Sequence, residues 1–233
     1  MDELNARDWT VHPPYLDKNY ASTQLRSPRQ KLLPLQQTQS ELSGLRYDQS
    51  AVGTLGQDLT RSAVKNGAPL GERIIVQGRV LDEAGKPVPH TLVEIWQANA
   101  AGRYVHEADQ HDAPLDPNFL GAGRCVTDEE GCYSFITVKP GAYPWLNHPN
   151  AWRPAHIHFS LFGASFATRL ITQMFFPGDP LLALDPIFHS VPDAEARQRL
   201  ICGFSLDVTK PQWALGYTFD IVLRGRRATP TEI

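Results

Sequence analysis

Cysteine, methionine, net charge and long apolar runs are all scarce in this 233-residue chain. It has three cysteines, two methionines and a formal net charge of −3. Each shortage excludes something. Three is an odd count and makes no disulfide framework, so unpaired thiols in a reducing, cytoplasmic compartment are expected. Cys125 and Cys132 flank "TDEEG" and would face each other across a hairpin there, as buried or half-buried thiols. A membrane-crossing helix needs ~20 apolar residues, and no run here approaches that length. The opening "MDELNARDWTVHPPYLDKNY" has no basic-then-apolar secretion pattern. Nucleic acids and anionic membranes call for clustered positive charge, so neither is an expected partner. "GRVLDEAGKPVP" offers no phosphate-cradling loop, and "GDP" at 178–180 is a turn signal.

What is present is an ordinary globular mix, 42% apolar and 20% charged, in two textures. Residues 1–70 are polar and proline-punctuated, an irregular N-terminal arm that buries too little to fold alone and must lie on a body or a partner. It offers a short helix near 38–44 and a helical turn at "GQDLT", 56–60. Residues 71–233 read as a β domain. "RIIVQGRVLD" is apolar and β-branched. "TLVEIWQAN" alternates, with Leu92, Glu94 and Trp96 on one face and Val93, Ile95 and Gln97 on the other. "GRCVTDEEGCYSFITV" reads as two strands joined by a turn. "AHIHFSLFG", "RLITQMFF", "QRLICGFSLDV" and "LGYTFDIVLRG" supply further strands, with "DAEARQRLI" the alternative of a short helix. Many short strands punctuated by Gly and Pro predict an all-β fold, an antiparallel β-sandwich. Two long loops, "AAGRYVHEADQHDAPLDPNFLGAG" and "KPGAYPWLNHPNAWRP", interrupt it, and such loops on a rigid scaffold tend to carry function.

The chemistry concentrates in "WRPAHIHFS". On a strand, His156 and His158 point to one face, ~6.6 Å apart along the chain, so both imidazoles can converge on one ion. Ile157 and Phe159 then face an apolar layer. The competing reading is a hydrogen-bonded structural pair. No carboxylate pattern for a two-His-one-carboxylate iron(II) site accompanies them, and no cysteine lies near enough for structural zinc. Phenolates are the remaining anions, suited to a hard cation such as Fe(III). Two phenolates would offset two of its three charges and a hydroxide the third. The residues alone do not select Tyr104 and Tyr143 from the seven tyrosines. Arg153 either stabilises negative charge on a bound substrate or pairs with a carboxylate such as Asp220 or Glu94. His106 and His111 lie among Asp109, Asp112 and Asp116, a second metal site or simply a solvated acidic loop.

Taken together, "TLVEIWQANAAGRY", "LDPNFLGAGRCVTDEEGCYSF", "KPGAYPWLNHPNAWRPAHIHFS", "ATRLITQMFFPGDP" and "YTFDIVLRGRR" resemble the intradiol ring-cleaving catechol dioxygenases. Within that family the resemblance is to the enzymes that open protocatechuate, and it covers most of the chain. It implies a β-sandwich holding one mononuclear non-haem Fe(III), with Tyr104, Tyr143, His156 and His158 as ligands. Tyr143 would be the axial ligand that leaves when substrate chelates. Arg153 matches the arginine that stabilises the activated substrate, and Gln173 an active-site glutamine. Trp145, Ile187 and Tyr20 match pocket positions, and Trp96 an aromatic beside the iron. The implied reaction is O2-dependent cleavage of protocatechuate (3,4-dihydroxybenzoate) to 3-carboxy-cis,cis-muconate, in aromatic-compound degradation. The implied partner is an α subunit that shares the sandwich but lacks the iron ligands, in an assembly of αβ protomers. Relatives acting on catechol or hydroxyquinol usually carry a helical N-terminal domain, which residues 1–70 do not resemble. A sandwich subunit that binds a metal or partner only structurally is the rival from outside enzymology.

Overall fold

The structure is a computed structural model and describes residues 8–33, 56–63, 65, 67–162 and 169–232. Among these, eleven short strands dominate and helices are a turn or so long. The strands are β1 (Arg73–Leu81), β2 (Leu92–Trp96), β3 (Ala122–Val126), β4 (Cys132–Val138), β5 (Tyr143–Pro144) and β6 (Trp152–Arg153). They continue as β7 (His156–Phe162), β8 (Leu170–Phe175), β9 (Gly203–Phe204), β10 (Leu215–Thr218) and β11 (Ile221–Val222). The helices are α1 (Thr23–Arg26), α2 (Pro186–Ser190) and α3 (Ala194–Gln198).

One sheet is centred on β1, which runs antiparallel to β4 and parallel to β10 and β11, with β9 beyond β10. The other has the order β3-β2-β7-β8 and is antiparallel throughout. A separate two-stranded ribbon joins β5 and β6. The core lies where apolar faces meet: Ile74, Val76 and Val80 of β1 and Phe135 of β4, with Val93 and Ile95 of β2 and Ile157, Phe159 and Leu161 of β7. The Phe159 ring is central, 5.9 Å from Phe135, 5.3 Å from Phe219 and 6.0 Å from Tyr133. Ile157 and Phe159 thus face the apolar layer, as alternation predicts, and leave His156 and His158 on the opposite face.

The expected all-β sandwich forms; one sheet is antiparallel throughout and the other is mixed, because β1 pairs in parallel with segments from the far end of the chain. Period-two patterning fixes which face is buried and carries no information on strand direction. Two expectations need correction. The residues around "TDEEG" do form two strands and a turn, tied by Asp128 Oδ1 accepting from the Cys132 amide at 2.7 Å. Those strands pair with different partners, however, β3 with β2 and β4 with β1. The turn therefore crosses between sheets, and Cys125 and Cys132 are both free. Finally, "QRLICGFSLDV" is strand only at Gly203–Phe204. The helix alternative for "DAEARQRLI" forms as α3, where Asp193 accepts from the Ala196 amide at 2.7 Å and caps it.

The turn at 56–60 appears as a 3-10 helix at Leu59–Arg61, capped by Asp58, and it buries Leu59. The helix expected near 38–44 lies outside the described residues. The described part of the arm is seated on the body. Val11 joins a second apolar cluster with Phe175, Phe188, Val191 and Leu200. No helix among the described residues is long and apolar enough to cross a membrane.

Gly78 marks the point on β1 where pairing passes from β10 to β11. A Cβ there would lie 1.9 Å from the Phe219 carbonyl oxygen and 3.1 Å from the Tyr133 hydroxyl, which donates to that carbonyl. Gly78→Ala must push two strands apart. It is expected to lower unfolding free energy by about 1–3 kcal/mol, read from the midpoint of denaturant unfolding at an unchanged slope.

Candidate metal centre

His156 and His158 project from β7 on one face, both buried, with ring centroids 4.8 Å apart and Nε2 atoms 3.2 Å apart. What their other nitrogens do fixes the tautomers. His156 Nδ1 lies 2.7 Å from the Pro154 carbonyl oxygen, and His158 Nδ1 lies 3.0 Å from Glu232 Oε2. Each Nδ1 must therefore carry the proton and donate it. Both Nε2 atoms are thereby turned toward one another. Burial, then the positive charge of Arg153 and the neighbouring His158, hold His156 well below the usual histidine range, so it stays neutral. With His156 neutral, its Nε2 offers a lone pair, and a cation between the two rings would be within reach of both Nε2 atoms. Trp96, opposite His158 in the sheet register, stacks on its ring at 4.8 Å and 5°.

Two phenols complete the cluster. β5 and β6 pair Tyr143 with Arg153, which lies just ahead of the histidine strand. Tyr143 Oη then lies 3.3 Å from His156 Nε2. Tyr104 arrives on the loop after β2. Asn99 Oδ1 accepts from the amides of Ala101 and Arg103 at 2.9 and 3.0 Å and tightens that loop. Asp109 Oδ2 accepts from the Tyr104 amide at 2.7 Å and pins the tyrosine. Gly102, with φ +80, packs so close that a Cβ would lie 2.1 Å from the Ala142 carbonyl oxygen. That approach joins the two tyrosine loops and sets their rings 5.4 Å apart, edge to face. Tyr104 Oη is buried and finds no hydrogen-bond partner of good geometry among the described residues. Burial pushes both phenols up, Tyr104 further because Tyr143 adjoins it, while Arg153 partly offsets the effect at Tyr143. Without a cation both are neutral. A hard trivalent ion would supply the missing charge, and two imidazole lone pairs with two oxygen donors are a fitting set for it.

Arg153 is almost fully buried. Its partner is neither Asp220, which pairs with Arg79, nor Glu94, but the buried Asp185. Nε and Nη2 both donate to Asp185 Oδ2, at 3.3 and 3.2 Å, and Nη2 also donates to Gln173 Oε1. Burial opposes the guanidinium charge, but Asp185 outweighs it and raises the arginine above its ordinary value. The other oxygen of Asp185 caps α2 through the Ile187 amide at 3.1 Å. One carboxylate thus positions both Arg153 and the pocket residue Ile187. Among the described residues, the buried Gln173 Nε2 and Trp145 Nε1 find no hydrogen-bond partner of good geometry. The Arg153 guanidinium lies 5.4 Å over the Trp145 ring.

The arm closes the site. Asn147 accepts from the Ala21 amide at 2.8 Å and donates to the Asn19 carbonyl at 2.7 Å, so the intervening Tyr20 sets its ring 5.6 Å from Trp145. A small cavity is lined by Pro14, Tyr20, Gln173, Phe175, Ile187 and Glu232. The ten residues matched through the family resemblance therefore lie in or beside one cluster. His106 and His111 do not join it. His106 Nδ1 takes the Ala108 amide, His111 packs against Trp152, and Asp109 is occupied by backbone amides. Sequence reading missed Asp185 and Glu232. The Asp-Pro pair at 185–186 carries a helix-cap signal that could have drawn attention to the first. Glu232 carries no local signal.

Residues 44–225 match the family described as Dioxygenase, and residues 6–38 match the family described as protocatechuate 3,4-dioxygenase beta subunit N terminal. The chain is 65% identical over 229 residues to the protocatechuate 3,4-dioxygenase beta chain of Burkholderia cepacia, covering 98% of this chain and 97% of that one. It is 35% identical over 140 residues to the catechol 1,2-dioxygenase of Candida albicans, covering 54% and 44%. Among solved structures, the hydroxyquinol 1,2-dioxygenase of Pseudomonas putida aligns with a TM-score of 0.54 and 25% identity, over 76% of this chain and 60% of that one. This match over nearly the whole length, on a strand sandwich carrying two histidines and two tyrosines in one cluster, makes the chain a member of the intradiol ring-cleaving dioxygenase family.

Proposed function

We propose that this chain cleaves protocatechuate with O2 to 3-carboxy-cis,cis-muconate at one non-haem Fe(III) held by Tyr104, Tyr143, His156 and His158. The observation that carries the reading is the convergence of two imidazole lone pairs and two phenol oxygens with too few partners among themselves. The 65% identical relative named for this substrate supports it. When bound, the ferric ion supplies Lewis acidity and draws electron density from a catecholate ring, which makes the ring reactive towards O2.

The chain's own residues do the rest. Tyr143, as phenolate, is placed to take a proton from a catechol hydroxyl, and the neighbouring guanidinium favours its charged form. Arg153 cannot swing away, because Asp185 holds two of its N–H groups. It therefore presents a fixed positive charge where negative charge on the substrate develops, at no cost in reorganisation. Gln173 is oriented by Arg153, and its amide N–H, like the Trp145 indole N–H, is placed to donate to a substrate oxygen. Tyr20, Trp145 and Ile187 form walls that exclude water, and Trp96 holds the plane of His158. The beta-chain name of that relative supports an α-subunit partner and an αβ assembly. The three free thiols suit a reducing cytoplasm.

Protein purified with its α partner should be red-brown from phenolate-to-iron charge transfer and should consume O2 with protocatechuate much faster than with catechol. A folded, colourless, iron-free complex would sink the assignment. His158→Ala should lose iron, while Tyr143→Phe should keep it with an altered colour and slower turnover. Metal analysis beside the visible spectrum separates the two. Arg153→Ser should retain iron and lose about 10²–10³-fold in turnover, and unchanged turnover would return Arg153 to a structural ion pair. Asp185→Ala leaves a buried guanidinium unpaired and should cost about 3–5 kcal/mol of stability, measured by denaturant unfolding.

A further inference from the structure

Residues 229–232 form an ordered strap beside the metal-binding strand. The Thr229 amide donates to the Val222 carbonyl at 2.9 Å, and the Val222 amide returns a bond to Thr229 Oγ1 at 3.0 Å. The Thr172 hydroxyl donates to the Pro230 carbonyl at 2.7 Å. Thr231 donates its amide to His12 Nδ1 at 3.0 Å and its hydroxyl to the Ile171 carbonyl at 3.0 Å. The Glu232 amide donates to that same carbonyl at 2.7 Å. Thr229 and Thr231 are buried. This much stitching fixes the Glu232 backbone against β8, the strand next to β7. From there its carboxylate reaches His158 Nδ1 at 3.0 Å.

The two imidazoles consequently differ. His156 Nδ1 donates to a neutral backbone carbonyl, whereas His158 Nδ1 donates to a carboxylate. A carboxylate behind a ligating histidine fixes the ring's rotation and makes its free nitrogen a stronger donor. Trp96 already fixes the plane of the His158 ring by stacking. Rotation within that plane is what Glu232 constrains.

We propose that Glu232 is a positioning residue of the metal centre: delivered by the 229–232 strap, it holds His158 with Nε2 turned inward and makes it the stronger of the two imidazole donors. The inference rests on the ferric reading of the site. Thr231 shares the strap with Glu232 and binds His12, so the N-terminal arm is linked to this ligand by the same segment.

The test compares Glu232→Ala and Glu232→Gln with wild type, using the full chain in the assembly it forms. Two quantities are read: the rate of iron loss to EDTA, and the wavelength of the phenolate-to-iron band. Glu232→Ala should lose iron about 10–100-fold faster. Its band should move to longer wavelength, because a weaker imidazole donor leaves the iron a better electron acceptor. Glu232→Gln keeps an acceptor without the charge, so both quantities should fall between wild type and alanine. It also serves if the alanine variant does not fold. Wild-type iron loss with an unmoved band in the variants overturns the proposal. So does faster loss with an unmoved band, which signals only a looser strap. A wild-type chain that takes up no iron refutes the ferric reading itself, and this inference with it.

Discussion

The pleat of β7 is the constraint on which the rest depends. Alternate residues of a strand must face opposite ways. Here both faces are buried, one against the second sheet and one under loops and strap. Ile157, Phe159 and Leu161 anchor the sandwich through one face, and His156 and His158 appear on the other with no further adjustment. The spacing of the two imidazoles is thus set by the same packing that stabilises the fold.

Around that strand, charge is set by burial and by a few fixed partners. Arg153 keeps its charge because Asp185 is buried with it, and Asp185 is held in turn by capping a helix. The phenols and His156 are held neutral by lack of solvent. The cluster therefore presents lone pairs and neutral phenols beside one immobile guanidinium. This is an arrangement that a small cation of high charge can convert into two phenolates and two imidazole ligands.

How much of this could be read in advance varies by kind. The alternation of β2 and β7 was plain, since apolar residues at every second position leave one assignment of faces. The parallel pairing of β1 with β10 and β11 was not, because patterning says nothing about which distant segment lies alongside. Turn composition at "TDEEG" gave the turn correctly and its role wrongly, since a turn within a sheet and one between sheets need the same residues. The histidine pair was readable as a ligand candidate from spacing alone. Tyr104 and Tyr143 came only through family resemblance, because loop residues meet by tertiary packing. For Arg153 the alternative to a substrate role is a surface ion pair, for which charge alone suggests Asp220 or Glu94; the actual partner is the buried Asp185, and charge patterning does not show which carboxylate is buried. Glu232, from the opposite end of the domain, left no trace that a local reading could use.

Asn147 has a consequence of a different kind. Its side-chain amide grips Asn19 and Ala21 with one bond in each direction, and Tyr20 rides between them. The wall it steadies belongs to the arm, while the imidazoles belong to the sheet. Tyr20 therefore takes its place from the arm and Asn147, not from the strand that carries the imidazoles. The arm thus meets the body at this side-chain amide, at the His12–Thr231 bond and at Val11 in the second apolar cluster, while the imidazoles are set by the sheet.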